Sequence, residues 1–336
     1  LKFKRVFSAL TAILILFMEF VLKALEGIFS IVFIIGIGFV LSRRGWFDEY
    51  SSALIARLVT AVSLPLYMIV SISKNFDHNK LVAMAPDLLL PICSMLLAFG
   101  VGKIAAHVFK IKKERRGIFC TNFFIANTMF IGLPVNLALF GEKSIPAVML
   151  YYMVNTTFFW TLGVHNIVQD TLSDTKNKPA FFSPAALKKI FSPPLAGFIV
   201  GIILVLLDCR LPSFLMNSFQ YTGNLTTPLS LVFIGIEMSK IPLGEIGFDK
   251  DLLLGVAGRF LVCPVCVLAL VPLLPVTPLS AQIFTMQATM PAMTQMAIVA
   301  KNYGADSAYA ATLSFLTVLL GIVVVPLYMM LVNMYI

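Results

Sequence analysis

Apolar runs of about 20 residues, the length needed to cross the hydrocarbon core of a bilayer, recur along nearly the whole chain. Short polar stretches separate them. The pattern predicts an all-α polytopic membrane protein with ten transmembrane helices, at residues 24–42, 52–72, 86–108, 118–140, 146–168, 193–208, 213–237, 252–274, 280–300 and 307–332. Inside the fourth run, the stretch NTMFIGLPVNLALFG carries Asn127, Gly132, Pro134 and Asn136. A helix that only anchors a protein in lipid has no use for a Gly-x-Pro flanked by amides.

The start of the chain departs from this regularity. LKFKRVFSALTAILILF places Lys2, Lys4 and Arg5 before an apolar run, in the manner of a signal-like segment. Only Glu19, Lys23 and Glu26 separate it from the first span, too little polarity for an eleventh crossing. Residues 1–17 are read as lying upstream of a natural start at Met18, with an interfacial helix as the alternative.

Composition agrees with lipid as the main solvent. Of 336 residues, 59% are hydrophobic and 12% charged, about half the charged share of an ordinary soluble domain. The net charge of +9 does not indicate nucleic acid, because the cations are scattered among short loops. Arg43, Arg44, the Lys110–Arg116 cluster, Lys176, Lys178, Lys188, Lys189, Lys240, Lys250 and Lys301 fall on one set of alternate loops. Only Lys74, Lys80, Lys143 and Arg210 fall on the other. The positive-inside rule then puts the first set in the cytoplasm and both termini outside, in an inner (plasma) membrane. Cys263-Pro264-Val265-Cys266 has redox or zinc spacing, but it lies in an apolar run without a partner pair and reads as two small buried hydrophobes.

The punctuation repeats. Pro65, Pro91 and Pro134 in the second, third and fourth spans match Pro228, Pro264 and Pro291 in the seventh, eighth and ninth, in the same order. A five-span repeat must insert its second copy upside down. The expected organisation is repeat 1 at 18–168, a cytoplasmic linker at 169–191 and repeat 2 at 192–336. Breaks at matching positions of two inverted repeats are the sequence signature of a transport site. Proline frees backbone groups, which are tolerated at membrane depth only against protein or a water-filled cavity. Half-helix N-termini carry positive partial charge and bare N–H groups suited to an anion.

The candidate substrate-binding residues are Asn127, Thr128, Gly132, Pro134, Asn136, Pro291, Thr294 and Gln295. Thr121, Asn122, Asn155, Gln287 and Arg259 are candidates for an ion or the pathway, with Thr156 and Thr289 beside them. Gln287, Pro291, Thr294 and Gln295 share one face if the ninth helix is continuous. Neutral amides can bind a carboxylate or give oxygens to a cation; each can equally serve a helix-to-helix hydrogen bond. Arg259 is the deepest cation and is placed on the inner pathway, for the second carboxylate of a dianion.

NTMFIGLPVNLALFG with FFWTLGV (158–164), SPPLAGFIVGIIL (192–204), TPLSLVFIGIEM (227–238) and MPAMTQMAIVAKNYGADSAYAATLSFLTVL (290–319) resemble the auxin efflux carrier family. The resemblance runs from about Met18 to the C-terminus. It implies a ten-helix, inverted-repeat fold similar to the bile-acid symporters, with the fourth and ninth helices broken and crossing at the site. It also implies transport of organic anions, auxin in plants and malate- or malonate-like carboxylates in bacteria. Gln295 and Ser192 stand where relatives often have Asn, which bears on substrate identity.

The reading is a secondary transporter of small carboxylates by alternating access. The resemblance implies that spans 1, 2, 6 and 7 form one bundle and the rest move against it. The alternative is a sodium-coupled symporter of a bile-acid-like or amino-acid substrate on the same fold. An intramembrane enzyme needs paired aspartates or an H-E-x-x-H zinc motif, and the sequence has neither. No cofactor or metal is called for, the residues do not separate sodium from proton as coupling ion, and a homodimer is left open.

Overall fold

The computed structural model describes residues 29–77, 79, 83, 85–169, 193–240 and 248–335. The N-terminal segment 1–17, the linker, Ser192 and the lysines at 176, 178, 188 and 189 lie outside the described residues. Helices occupy all ten expected positions. They are α1 (Phe29–Arg43), α2 (Glu49–Lys74), α3 (Pro86–Val108), α4a (Lys113–Asn122), α4b (Thr128–Phe140), α5 (Glu142–Gln169) and α6 (Pro193–Leu206). They continue with α7a (Ser213–Gly223), α7b (Thr226–Ser239), α8 (Lys250–Leu273), α9a (Pro278–Ala288), α9b (Gln295–Tyr303) and α10 (Ser307–Tyr335). Among the described residues, α2, α3, α5, α8 and α10 are each long and apolar enough to cross a membrane.

Three prolines inside these helices are absorbed without a break. The π-turns Val59–Ser63, Thr128–Gly132 and Gly258–Val262 end two residues before Pro65, Pro134 and Pro264. A proline ring clashes with the carbonyl four residues earlier and cannot donate to it; one widened turn moves that carbonyl aside. This corrects the expectation that the fourth helix breaks at Gly132-x-Pro134. Helix α4b runs unbroken through both residues, and the helix is interrupted upstream, between Asn122 and Thr128. The ninth helix breaks where expected, with Pro291 between α9a and α9b.

The helices pack as two groups. Helices α1, α2, α6 and α7 meet through small residues: a Cβ on Gly235 of α7b would lie 2.1 Å from the Ile35 carbonyl oxygen of α1, and one on Gly197 of α6 would lie 2.4 Å from that of Pro65 in α2. Backbones that close exclude any side chain, the common solution where no hydrophobic effect drives helices together. In the second group α8 packs on α3 and α9a, α5 on α4a and α9a, and α10 on α9. One end of this group is tied by Arg115, which pairs with Asp249 and with Asp306 (2.7 Å) and stacks over Tyr309. At the other end Asp87, buried at the start of α3, accepts from the Thr277 N–H and hydroxyl, both at 3.2 Å, at the start of α9a.

Gly235→Val should lower the thermal midpoint in detergent, since overpacking costs about 1–3 kcal/mol or more where backbone must move. Gly100→Ala, whose added Cβ meets nothing within 4 Å, should leave the midpoint unchanged or slightly raised. Equal midpoints for the two variants would contradict the packing described.

Candidate functional site

The two interruptions meet. Ala126 and Ala292 form an antiparallel bridge, the one isolated β-pairing among the described residues, and the Asn127 N–H donates to the Pro291 carbonyl at 2.8 Å. Each extended piece is gripped from behind. Asn155 of α5 uses both ends of its amide on one residue, accepting from the Ala126 N–H (2.9 Å) and donating to its carbonyl (3.1 Å). Thr317 of α10 accepts from the Ala292 N–H at 3.0 Å. Without these partners the unwound peptides would bury bare polar groups, at about 1–3 kcal/mol each.

The crossing has two electrostatic poles. Helices α4a and α9a bring their C-termini to it, and the carbonyls there are taken by Arg259. Its Nη1 donates to Asn122 (3.0 Å) and Ile125 (2.7 Å), and its Nη2 to Ala288 (2.6 Å). Cys263 Sγ adds a contact to the Phe123 carbonyl at 2.6 Å. Helices α4b and α9b start at the crossing and present their N-termini on the other side. Asn127 Oδ1 caps the Phe130 N–H at 3.2 Å.

Those two N-termini border a cavity of about 300 Å³ between the two groups of helices. Asn127, Thr128, Met129 and Phe130 line it from the first crossing segment, and Met293, Thr294 and Gln295 from the second. Helix α5 contributes Tyr152, Thr156 and Trp160; α2 contributes Thr60 and Leu64; α6 contributes Pro193 and Pro194. Among the described residues, the lining carries no Lys, Arg, His, Asp or Glu. Two of its buried polar atoms, Asn127 Nδ2 and Thr156 Oγ1, have no hydrogen-bond partner among the described residues. Buried polar atoms left unpaired are uncommon in folded proteins; others, among them Asn122 Oδ1, Asn136 Oδ1 and Gln287 Oε1, lie behind the crossing.

The sequence-derived candidates therefore divide. Asn127, Thr128, Thr294 and Gln295 are brought together on the cavity, and Thr156 with them. Gly132, Pro134, Asn136, Pro291, Thr121, Asn122, Asn155 and Gln287 do not line it. They build the crossing behind it. Asn122 Nδ2 donates to the Gly255 carbonyl (2.8 Å), Thr121 Oγ1 to Gly163 (3.3 Å), and Asn136 Nδ2 back to Gly132 (2.8 Å) beside the π-turn. Gln287 packs on Gly132, where a Cβ would lie 2.3 Å from its Oε1. The shared face expected for Gln287, Pro291, Thr294 and Gln295 does not exist, because the helix is interrupted between Gln287 and Gln295.

Arg259, expected on the inner pathway, does not line this cavity; it is fully buried, with Nη1 and Nη2 on main-chain carbonyls and Nε without a partner among the described residues. Thr60, Leu64, Tyr152, Trp160 and the Pro193-Pro194 pair are lining residues that sequence reasoning missed. Signals existed for the last two positions: Trp160 is one of two tryptophans in the chain, and a double proline opens α6.

Thr317→Val, nearly isosteric, removes the hydroxyl that holds Ala292 and should destabilise the protein by about 1–3 kcal/mol in thermal or denaturant melts. An unchanged midpoint would show that Ala292 does not depend on this bond.

Comparison with known proteins agrees with the geometry. The family model described as membrane transport protein matches residues 23–329. An uncharacterized transporter of Methanocaldococcus jannaschii is 24% identical over 311 residues, covering 90% of this chain and 97% of that protein. An uncharacterized transporter of Methanothermobacter thermautotrophicus is 22% identical over 311 residues, covering 90% and 96%. This is a multi-pass membrane protein and not an enzyme, and it belongs to the membrane transport protein family, that of the auxin efflux carriers.

Proposed function

We propose that the protein is a secondary transporter which binds a small organic anion in the cavity beside the crossing and carries it by alternating access. The observation that carries this reading is the pairing of two helix N-termini with two polar side-chain atoms, of Asn127 and Thr156, that have no partner among the described residues, around a space whose described lining has no fixed cation. Each helix N-terminus presents roughly half a positive elementary charge, so α4b and α9b together offset one carboxylate. The Asn127 amide supplies a directed donor. Tyr152, Trp160 and Leu64 on the opposite side suit the carbon skeleton. A malate- or malonate-sized molecule fits a space of this volume, its second carboxylate meeting the neutral Thr60, Thr156 and Gln295.

The overall architecture proposed with this site is two inverted five-helix repeats, α1–α5 and α6–α10. Support comes from the antiparallel Ala126–Ala292 contact and from the paired grips of Asn155 in the fifth helix and Thr317 in the tenth. Helices α1, α2, α6 and α7 would stay together while the crossing group moves against them, exposing the cavity to each side in turn. Loop cations orient the protein with both termini outside the plasma membrane.

Two measurements test this. In thermal-shift and calorimetric titrations of the purified protein, small carboxylates should stabilise it by mass action, and their uncharged amides should not. Asn127→Asp keeps an acceptor for the Phe130 N–H but turns the donor into a negative charge; it should weaken carboxylate binding at least about tenfold, a loss of ~1.4 kcal/mol. Unchanged affinity in that folded variant would remove Asn127 from the site. For orientation, the exposed Cys209 between α6 and α7 should react with a membrane-impermeant maleimide on intact cells. Labelling only after lysis would reverse the topology.

A further inference from the structure

Arg259 has no acidic partner among the described residues, yet it is fully buried. Burying an uncompensated charge costs several kcal/mol even after relaxation, so its compensation must lie in what surrounds it. That is three main-chain carbonyl oxygens: Asn122 and Ala288, the last residues of α4a and α9a, and Ile125 in the first interruption. Two helix C-termini at roughly half a negative charge each match one guanidinium. Carbonyl oxygens converging at a pair of helix ends are also the donor set that a hard cation such as Na⁺ requires.

We infer that Arg259 is the resident cation of the crossing, occupying with its guanidinium the carbonyl-lined position that an alkali metal ion would otherwise fill. The inference goes beyond the transport reading and does not depend on which anion is carried. Its consequence is that the crossing is assembled and charge-balanced without sodium. An always-charged, forked side chain can bridge carbonyls from two helices at once, as Nη1 and Nη2 do here. Arg259 is a positioning residue: it fixes the C-terminal pole, and through it the angle at which α4b and α9b present their N-termini.

The test is the cation dependence of stability, read without substrate. Thermal midpoints are measured for the wild-type chain and Arg259→Ala, in NaCl and in choline chloride at equal ionic strength, and with millimolar guanidinium added. The wild-type midpoint should be the same in both salts. Arg259→Ala should melt lower and be raised saturably by Na⁺ or guanidinium, by on the order of 2–4 °C at about tenfold excess over Kd, while choline, too large to enter, does nothing. A wild-type protein saturably stabilised by Na⁺, or a folded Arg259→Ala indifferent to all three cations, would overturn the inference. If the alanine variant does not fold, Arg259→Lys carries the comparison. Its ammonium should keep the protein indifferent to Na⁺, and a folded lysine variant that gains Na⁺ stabilisation contradicts it. None of these outcomes touches carboxylate binding, so this inference and the transport reading fail separately.

Discussion

Everything in this structure depends on where the backbone of two interrupted helices finds its hydrogen bonds. In an apolar interior each unpaired peptide group is costly. Here the groups released by unwinding are paired with one another at the Ala126–Ala292 bridge and with Asn155, Thr317, Arg259 and Cys263 behind it. That satisfaction leaves the extended segments where they are. Among the polar atoms left without a partner, Asn127 Nδ2 and Thr156 Oγ1 belong to side chains on the cavity.

The same arrangement sorts charge without placing an ion at the cavity. Four half-helices end at one point. The two C-terminal ends face Arg259, and the two N-terminal ends face the open space lined by Asn127, Thr156, Thr294 and Gln295. A site for an anion built from peptide dipoles and amides holds it without the deep well that a buried lysine would create. A transported solute has to leave as well as arrive, and a neutral lining favours that.

Much of the fold was legible in the sequence, because length and hydropathy fix where helices can cross a bilayer. The ninth-helix break was legible too, since Pro291 cannot continue a helix. The fourth-helix break was not. Residues 123–127, Phe-Phe-Ile-Ala-Asn, contain neither glycine nor proline, and their conformation is imposed by α5 and α8 from more than 25 positions away. Pro134 misled because a π-turn accommodates it. That Asn127, Thr128, Thr294 and Gln295 line the cavity was legible because amides and hydroxyls stand out in apolar runs. Leu64 and Tyr152 were not, since nothing local separates a lining residue from a packing one. Arg259 stood out as a buried cation, but its partners are main-chain carbonyls, which no sequence pattern displays.

The central claim is that the N-terminal pole of the crossing holds an anion. A cryo-EM map of the purified protein with a saturating small carboxylate tests it most directly. The account predicts ligand density in the cavity, with a carboxylate within hydrogen-bonding distance of Asn127 Nδ2 and against the first turn of α9b. Density at Arg259 instead, or a fourth helix running unbroken from Lys113 to Phe140, would contradict it.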